Sequence, residues 1–165
     1  MKMKLMAVLA TIPKAYVKAL GVIGLCSVVL IAGATVPAAY QSMESRRDME
    51  KLTDNVMRAV TAGELEQAYA ELKKNVTLPP ESVDAGLKST LMQRNAEFDA
   101  RFGKVVGFTQ ISNKKVGDSL WRFTYLEQHE LQPLVWTFQF YSVGDSWVLN
   151  EFSWSPQTAG LYLQD

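Results

Sequence analysis

Hydrophobic positions along this chain run in three regimes. Ala19–Tyr40 is twenty-two residues without a charge, a length that suits a membrane-spanning helix. From Ser45 to about Lys74 the apolar positions recur at helical spacing: Met49, Leu52, Val56 and Val60 fall on one face, Gly63 interrupts, and Leu65, Ala68, Tyr69 and Leu72 restart the pattern. Leu78-Pro79-Pro80-Glu81 reads as a turn. Ser82 then caps a third helix whose Val83, Leu87, Leu91, Phe98 and Phe102 face inward until Gly103 ends it. Lys88, Arg94, Glu97 and Arg101 solvate its outer side.

From Lys104 the period drops to two. Strands are expected at Val105–Ser112, Leu120–Gln128, Leu134–Tyr141 and Trp147–Ser155, with a turn at Asn113–Ser119 and a polar hairpin connection from Leu126 to Pro133. Trp121, Phe123 and Tyr125 share one face of their strand, as do Trp136, Phe138 and Phe140 of theirs. Short connections make such strands an antiparallel meander. The aromatic face needs a cover, and the upstream helices supply it, giving an α+β fold with helices in the concavity of a curved antiparallel sheet.

Composition narrows the partners. Seventeen basic and seventeen acidic residues leave no net charge to steer nucleic acid. The lone cysteine, Cys26, lies within the apolar run, so the folded domain carries no disulfide and no thiolate metal site. One histidine and scattered carboxylates offer no convergent metal set, the glycines are too dispersed for a phosphate loop, and no cofactor is implied.

The chain divides into a basic leader (1–18), the apolar segment (19–40), a folded domain (41–157) and a tail (158–165). Lys2, Lys4, Lys14 and Lys18 precede the apolar segment and mixed charges follow it, which keeps the N-terminus cytoplasmic and puts the domain on the periplasmic side of a bacterial inner membrane. The segment reads either as an uncleaved anchor in the bilayer or, through Val36-Pro37-Ala38, as a signal removed before Ala39.

Helices, Leu78-Pro79-Pro80-Glu81, a helix ending Arg101-Phe102-Gly103-Lys104, Trp136-Thr137-Phe138-Gln139-Phe140-Tyr141 and Gly144-Asp145-Ser146-Trp147 follow in order. That layout resembles the nuclear transport factor 2-like superfamily over about residues 45–157, in particular its small exported bacterial members. The resemblance implies a cystatin-like cone, and it admits dehydratases, isomerases, small-ligand binders and scaffolds. Its catalytic members use an Asp or His reaching into the cavity. Here His129 is the sole histidine, with Glu127 and Glu130 beside it, and the polar composition around it reads as an exposed hairpin.

Strand parity supplies further candidates. If Phe152 and Trp154 point into the cone, so does Asn150, and Tyr125 joins them, with Trp136 as an aromatic wall. These four polar-tipped residues, Tyr125, Trp136, Asn150 and Trp154, either line a pocket for a small apolar ligand or belong to the core. The opposite face would carry Arg122, Thr137, Gln139, Trp147, Leu149 and Glu151, an open surface for a protein partner or a second copy. Three functions follow: a membrane-tethered interaction or assembly module, a ligand binder using the cone, and a dehydratase- or isomerase-type enzyme.

Overall fold

The structure, a computed structural model, describes residues 40–94 and 96–163. The leader, the apolar segment up to Ala39, Cys26 and the cleavage position therefore lie outside the described residues. Among those described, no helix is long and apolar enough to cross a membrane.

The domain is α+β, with the helices first and an antiparallel sheet after them. Helix α1 spans Arg46–Thr61. Ser45 starts it with a reciprocal capping box: its hydroxyl accepts from the Asp48 amide, and its own amide donates to the Asp48 carboxylate at 3.1 Å. The stripe at helical spacing is buried as expected, joined by Thr53, Met57 and Ala59. Helix α2, Leu65–Asn75, buries Leu65, Ala68, Tyr69 and Leu72 beside it.

Helix α3 spans Pro80–Gln93, with Pro79 at the cap, three residues earlier than the Ser82 cap expected from sequence. Pro80 takes the first helical position, where its missing N–H costs nothing, and the Ser82 amide bonds to the Pro79 carbonyl at 2.9 Å. The long third helix is in fact two. Arg94 leaves helical geometry, and α4 restarts at Ala96–Phe102. Only Val83 and Thr90 of α3 are buried, while Leu91 stands exposed.

The sheet runs β1 (Val105–Val116), β2 (Leu120–His129), β3 (Leu134–Val143) and β4 (Ser146–Ser155), in that spatial order and antiparallel throughout. Strand β1 continues through the expected turn, pairing Asn113, Lys114 and Lys115 with Phe123, Arg122 and Trp121; Gly117 then makes a short reversal. Phe123 opposes Phe138, and Trp136 lies between Tyr125 and Trp154, so the aromatic rows coincide on one face. That face, with Met49, Val56 and Leu72 from the helices, forms the main core.

One irregularity reorganises β4. Gln139 pairs with Glu151 and Phe140 with Leu149, so Asn150 is the extra residue of a β-bulge. Side-chain parity reverses there: Phe140, Leu149 and Trp147 all pack on the core. The outer edge of β4 is then held at one end, by Met43 exchanging bonds with Trp147 at 2.8 and 2.7 Å and by Thr77 donating to the Leu149 carbonyl at 2.9 Å.

Two turn glycines separate backbone conformation from crowding. Gly103 and Gly117 both have positive φ, +77° and +57°, but a Cβ at Gly103 would meet the Glu130 Cβ at 2.8 Å, whereas one at Gly117 meets nothing within 4 Å. Gly117→Ala is expected to cost about 1 kcal/mol of unfolding free energy. Gly103→Ala should cost at least about twice that, because collision adds to left-handed strain. Urea unfolding of the two variants side by side measures the difference.

Candidate functional site

Alternation along β2 turns Phe123 and Tyr125 inward, and the next step turns Glu127 inward as well. The carboxylate is completely buried. A charge so placed requires partners, and three converge on it. Arg94 grips it with two parallel bonds, Nη1 to Oε1 at 2.9 Å and Nη2 to Oε2 at 2.6 Å. The Trp136 indole N–H donates to Oε2 at 2.7 Å. His129 Nε2 lies 3.1 Å from Oε1.

His129 is itself enclosed, its side chain 1 % exposed, with Phe98 and Phe102 ring centroids 5.7 and 6.1 Å away. Its Nδ1 stands 3.0 Å from the Gly103 carbonyl oxygen. Both ring nitrogens thus face oxygens, one on the backbone and one on the carboxylate. Arg94 also lies over the rings of Phe98, Trp154 and Trp136 at 5.2, 5.4 and 5.8 Å. Its Nε is buried and has no partner among the described residues.

This cluster corrects three expectations. Arg94 is not on the solvated side of a helix: the break between α3 and α4 swings it under the sheet. Glu127 and His129 are not in an exposed hairpin, because β2 runs to His129 before the chain turns. Glu130 is outside the cluster, its carboxylate accepting from the Lys104 amide at 3.1 Å. Arg94 was detectable in principle, since an inward carboxylate calls for a basic partner, and Arg94 interrupts the apolar stripe.

The pocket candidates separate. Tyr125 is fully buried; its hydroxyl lies 2.7 Å from Thr53 Oγ1 and donates to Asp54 at 2.9 Å. Burial, reinforced by Asp54 and Glu50, pushes its phenol well above the usual tyrosine value, against a weaker lowering by the Thr53 bond. Trp136 is buried against Glu127. Asn150 sits at the bulge with its Oδ1 buried and unpartnered among the described residues, and makes no bond to Tyr125. Trp154 alone borders open space, its indole N–H bonded to Thr90 Oγ1 at 3.0 Å, which in turn lies 2.7 Å from the Tyr69 hydroxyl.

Trp154 forms part of the floor of a groove of about 380 Å³ between α3 and β4. Ser82, Gly86, Ser89, Thr90 and Gln93 line its helix side, and Phe152 to Pro156 its strand side. A second cavity of about 280 Å³ adjoins it, closed by Phe98 and Phe102 of α4. Beyond α3, Leu87, Leu91 and Met92 border a third hollow with Asp84 and Lys88.

The expected partner face loses its apolar members. Leu149 is completely buried, and Trp147 packs inward, edge-on to Trp121 at 5.6 Å, because the bulge reverses parity at Asn150. What stays outside is a polar ladder across three strands: Arg122 donates to Gln139 at 3.1 Å, and Gln139 to Glu151 at 3.5 Å. Among the described residues no three His, Cys, Asp or Glu side chains are placed to hold a metal ion.

Arg94→Met is expected to lower stability by about 3–5 kcal/mol in urea unfolding, since it strands a buried carboxylate, and adding Glu127→Leu should recover most of the loss. Alkali offers an independent check. Tyr69 and Tyr125 both have phenols raised by burial. The stability they confer is complete below the unfolded tyrosine value near 10 and drains away as pH rises above it. Tyr125→Phe should move the onset of alkaline unfolding upward, read by circular dichroism against pH. No known protein family, curated protein or solved structure matches the chain.

Proposed function

We propose that the chain is a membrane-tethered, non-catalytic interaction or assembly module, its cone-like domain held on the periplasmic side of the membrane by residues 19–40. The observation that carries this reading is the outer side of α3. Leu91 and Met92 make an apolar patch there, 42 % and 69 % exposed, next to Leu87, which packs partly on the core. A helix side of this kind, uncovered among the described residues and flanked by Asp84 and Lys88, suits a protein partner. The order of helices followed by a four-stranded meander also fits the nuclear transport factor 2-like layout, within which scaffolds are one established use.

The groups that an enzyme of this layout would draw on are committed elsewhere. His129 is enclosed and spends both nitrogens on Gly103 and Glu127, and Glu127 spends both oxygens on Arg94, Trp136 and His129. A proton donor for a bound substrate needs a free hydrogen-bonding position and a path to it.

Full-length protein extracted from membranes in mild detergent is expected to carry a stoichiometric partner or a second copy of itself. The double substitution Leu91→Glu/Met92→Glu should abolish that association, with unfolding free energy changed by no more than about 0.5 kcal/mol because both positions are exposed. Cross-linking followed by mass determination reads the outcome; a protein that stays monomeric and alone under these conditions overturns the proposal.

A further inference from the structure

The last four residues of β4, Phe152 to Ser155, and Pro156 just after them line one side of the groove against α3. Alternate side chains of a strand point to opposite faces, so a run of successive residues borders one groove only where the groove follows the strand's edge. The edge in question is open. The sheet ends at β4, and among the described residues the backbone bonds reaching its outer side come from Met43 at Trp147 and Thr77 at Leu149, both before the bulge. Past Leu149 the strand presents backbone donors and acceptors to the groove.

Helix α3 could have sealed this edge and does not. The side it turns toward β4 consists of Ser82, Gly86, Ser89, Thr90 and Gln93, at helical spacing and mostly short. Only Thr90 reaches across, to the Trp154 indole. The floor is aromatic, with Tyr69 edge-on to Phe152 at 5.6 Å. No lining side chain is charged. The strand from Asn150 to Ser155 and the helix opposite are each about 20 Å long, by the rise per residue of strand and helix.

Resting on the interaction-module reading, we infer that this groove binds an extended, uncharged segment of a partner polypeptide, which adds to the sheet as a strand beside β4. Main-chain groups repeating at strand spacing are what the open edge can pair with, and polypeptide backbone supplies them. Side chains pointing down would meet Phe152 and Trp154; those facing the helix would meet the hydroxyls of Ser82 and Ser89. Recognition of this kind takes affinity from backbone bonds and selectivity from alternate side chains.

The test pans full-length protein in detergent micelles against a phage-displayed library of random dodecapeptides, then measures the enriched peptide by fluorescence anisotropy. Ser89→Trp, which fills the groove, is expected to weaken binding at least tenfold, while Leu91→Glu/Met92→Glu leaves it within twofold. N-methylation of the peptide, one residue at a time, should weaken binding tenfold at alternate positions and leave intervening positions within twofold. That scan requires no altered protein, so it stands even if Ser89→Trp misfolds. Enrichment of no peptide, or a peptide indifferent to Ser89→Trp and to N-methylation, overturns the inference. If the full-length protein then still loses its partner through Leu91→Glu/Met92→Glu, the module reading survives the loss of the groove.

Discussion

The Glu127 carboxylate is the constraint around which the domain is arranged. Strand alternation delivers it to the buried interior, where a carboxylate is sustained only by enough donors in good geometry. Each donor fixes a different element. Arg94 requires the helical run to break after Gln93, so that its guanidinium can turn under the sheet. Trp136 fixes β3 beside β2, and the bond from Glu127 passes through His129 to Gly103, tying the end of α4 to the end of β2. Apolar replacement of such a pair is often neutral or better for stability. What the cluster does visibly is join elements: its bonds link the end of α3, the end of α4, β2 and β3.

The bulge at Asn150 sets the second half of the arrangement. By reversing parity, it lets Trp147 and Leu149 complete the core while the residues beyond keep Phe152 and Trp154 toward the helices. The edge before the bulge is occupied by Met43 and Thr77, and among the described residues none bonds to the edge after it. A sheet edge left open is ordinarily protected by charge, proline or a covering element. β4 has Pro156 just past its end and α3 standing alongside, a partial cover that leaves room.

Much of the fold was legible because period alone carries it. The stripes of α1 and α2, the aromatic rows of β2 and β3 and the meander order all follow from spacing. The third helix was misjudged for a physical reason: Phe98 and Phe102 continue the one-turn spacing of Val83, Leu87 and Leu91, so the single gap at Arg94 reads as a polar position within one helix rather than as a break. Glu127 was legible one step along an alternation already in hand, but the polar, proline-ended stretch around it imitates a solvated hairpin. Trp147 and Leu149 followed a parity that only a regular strand obeys, and a bulge at an Asn has no reliable local signature. The groove was not legible at all, since it arises from what α3 fails to fill.

Helix α3 is lightly buried for its length. It buries Val83 and Thr90, and its ends are set by Pro79-Pro80 and by the break at Arg94. The Lys73–Asp84 ion pair that joins it to α2 is solvent-exposed and adds little. Helical stability in proteins comes mainly from packing an apolar face, yet α3 packs only Val83 and part of Leu87 on the core, while Leu91 and Met92 point outward and its small-residue side borders the groove. An element held at its two ends, with little burial between them, is where a fold yields first.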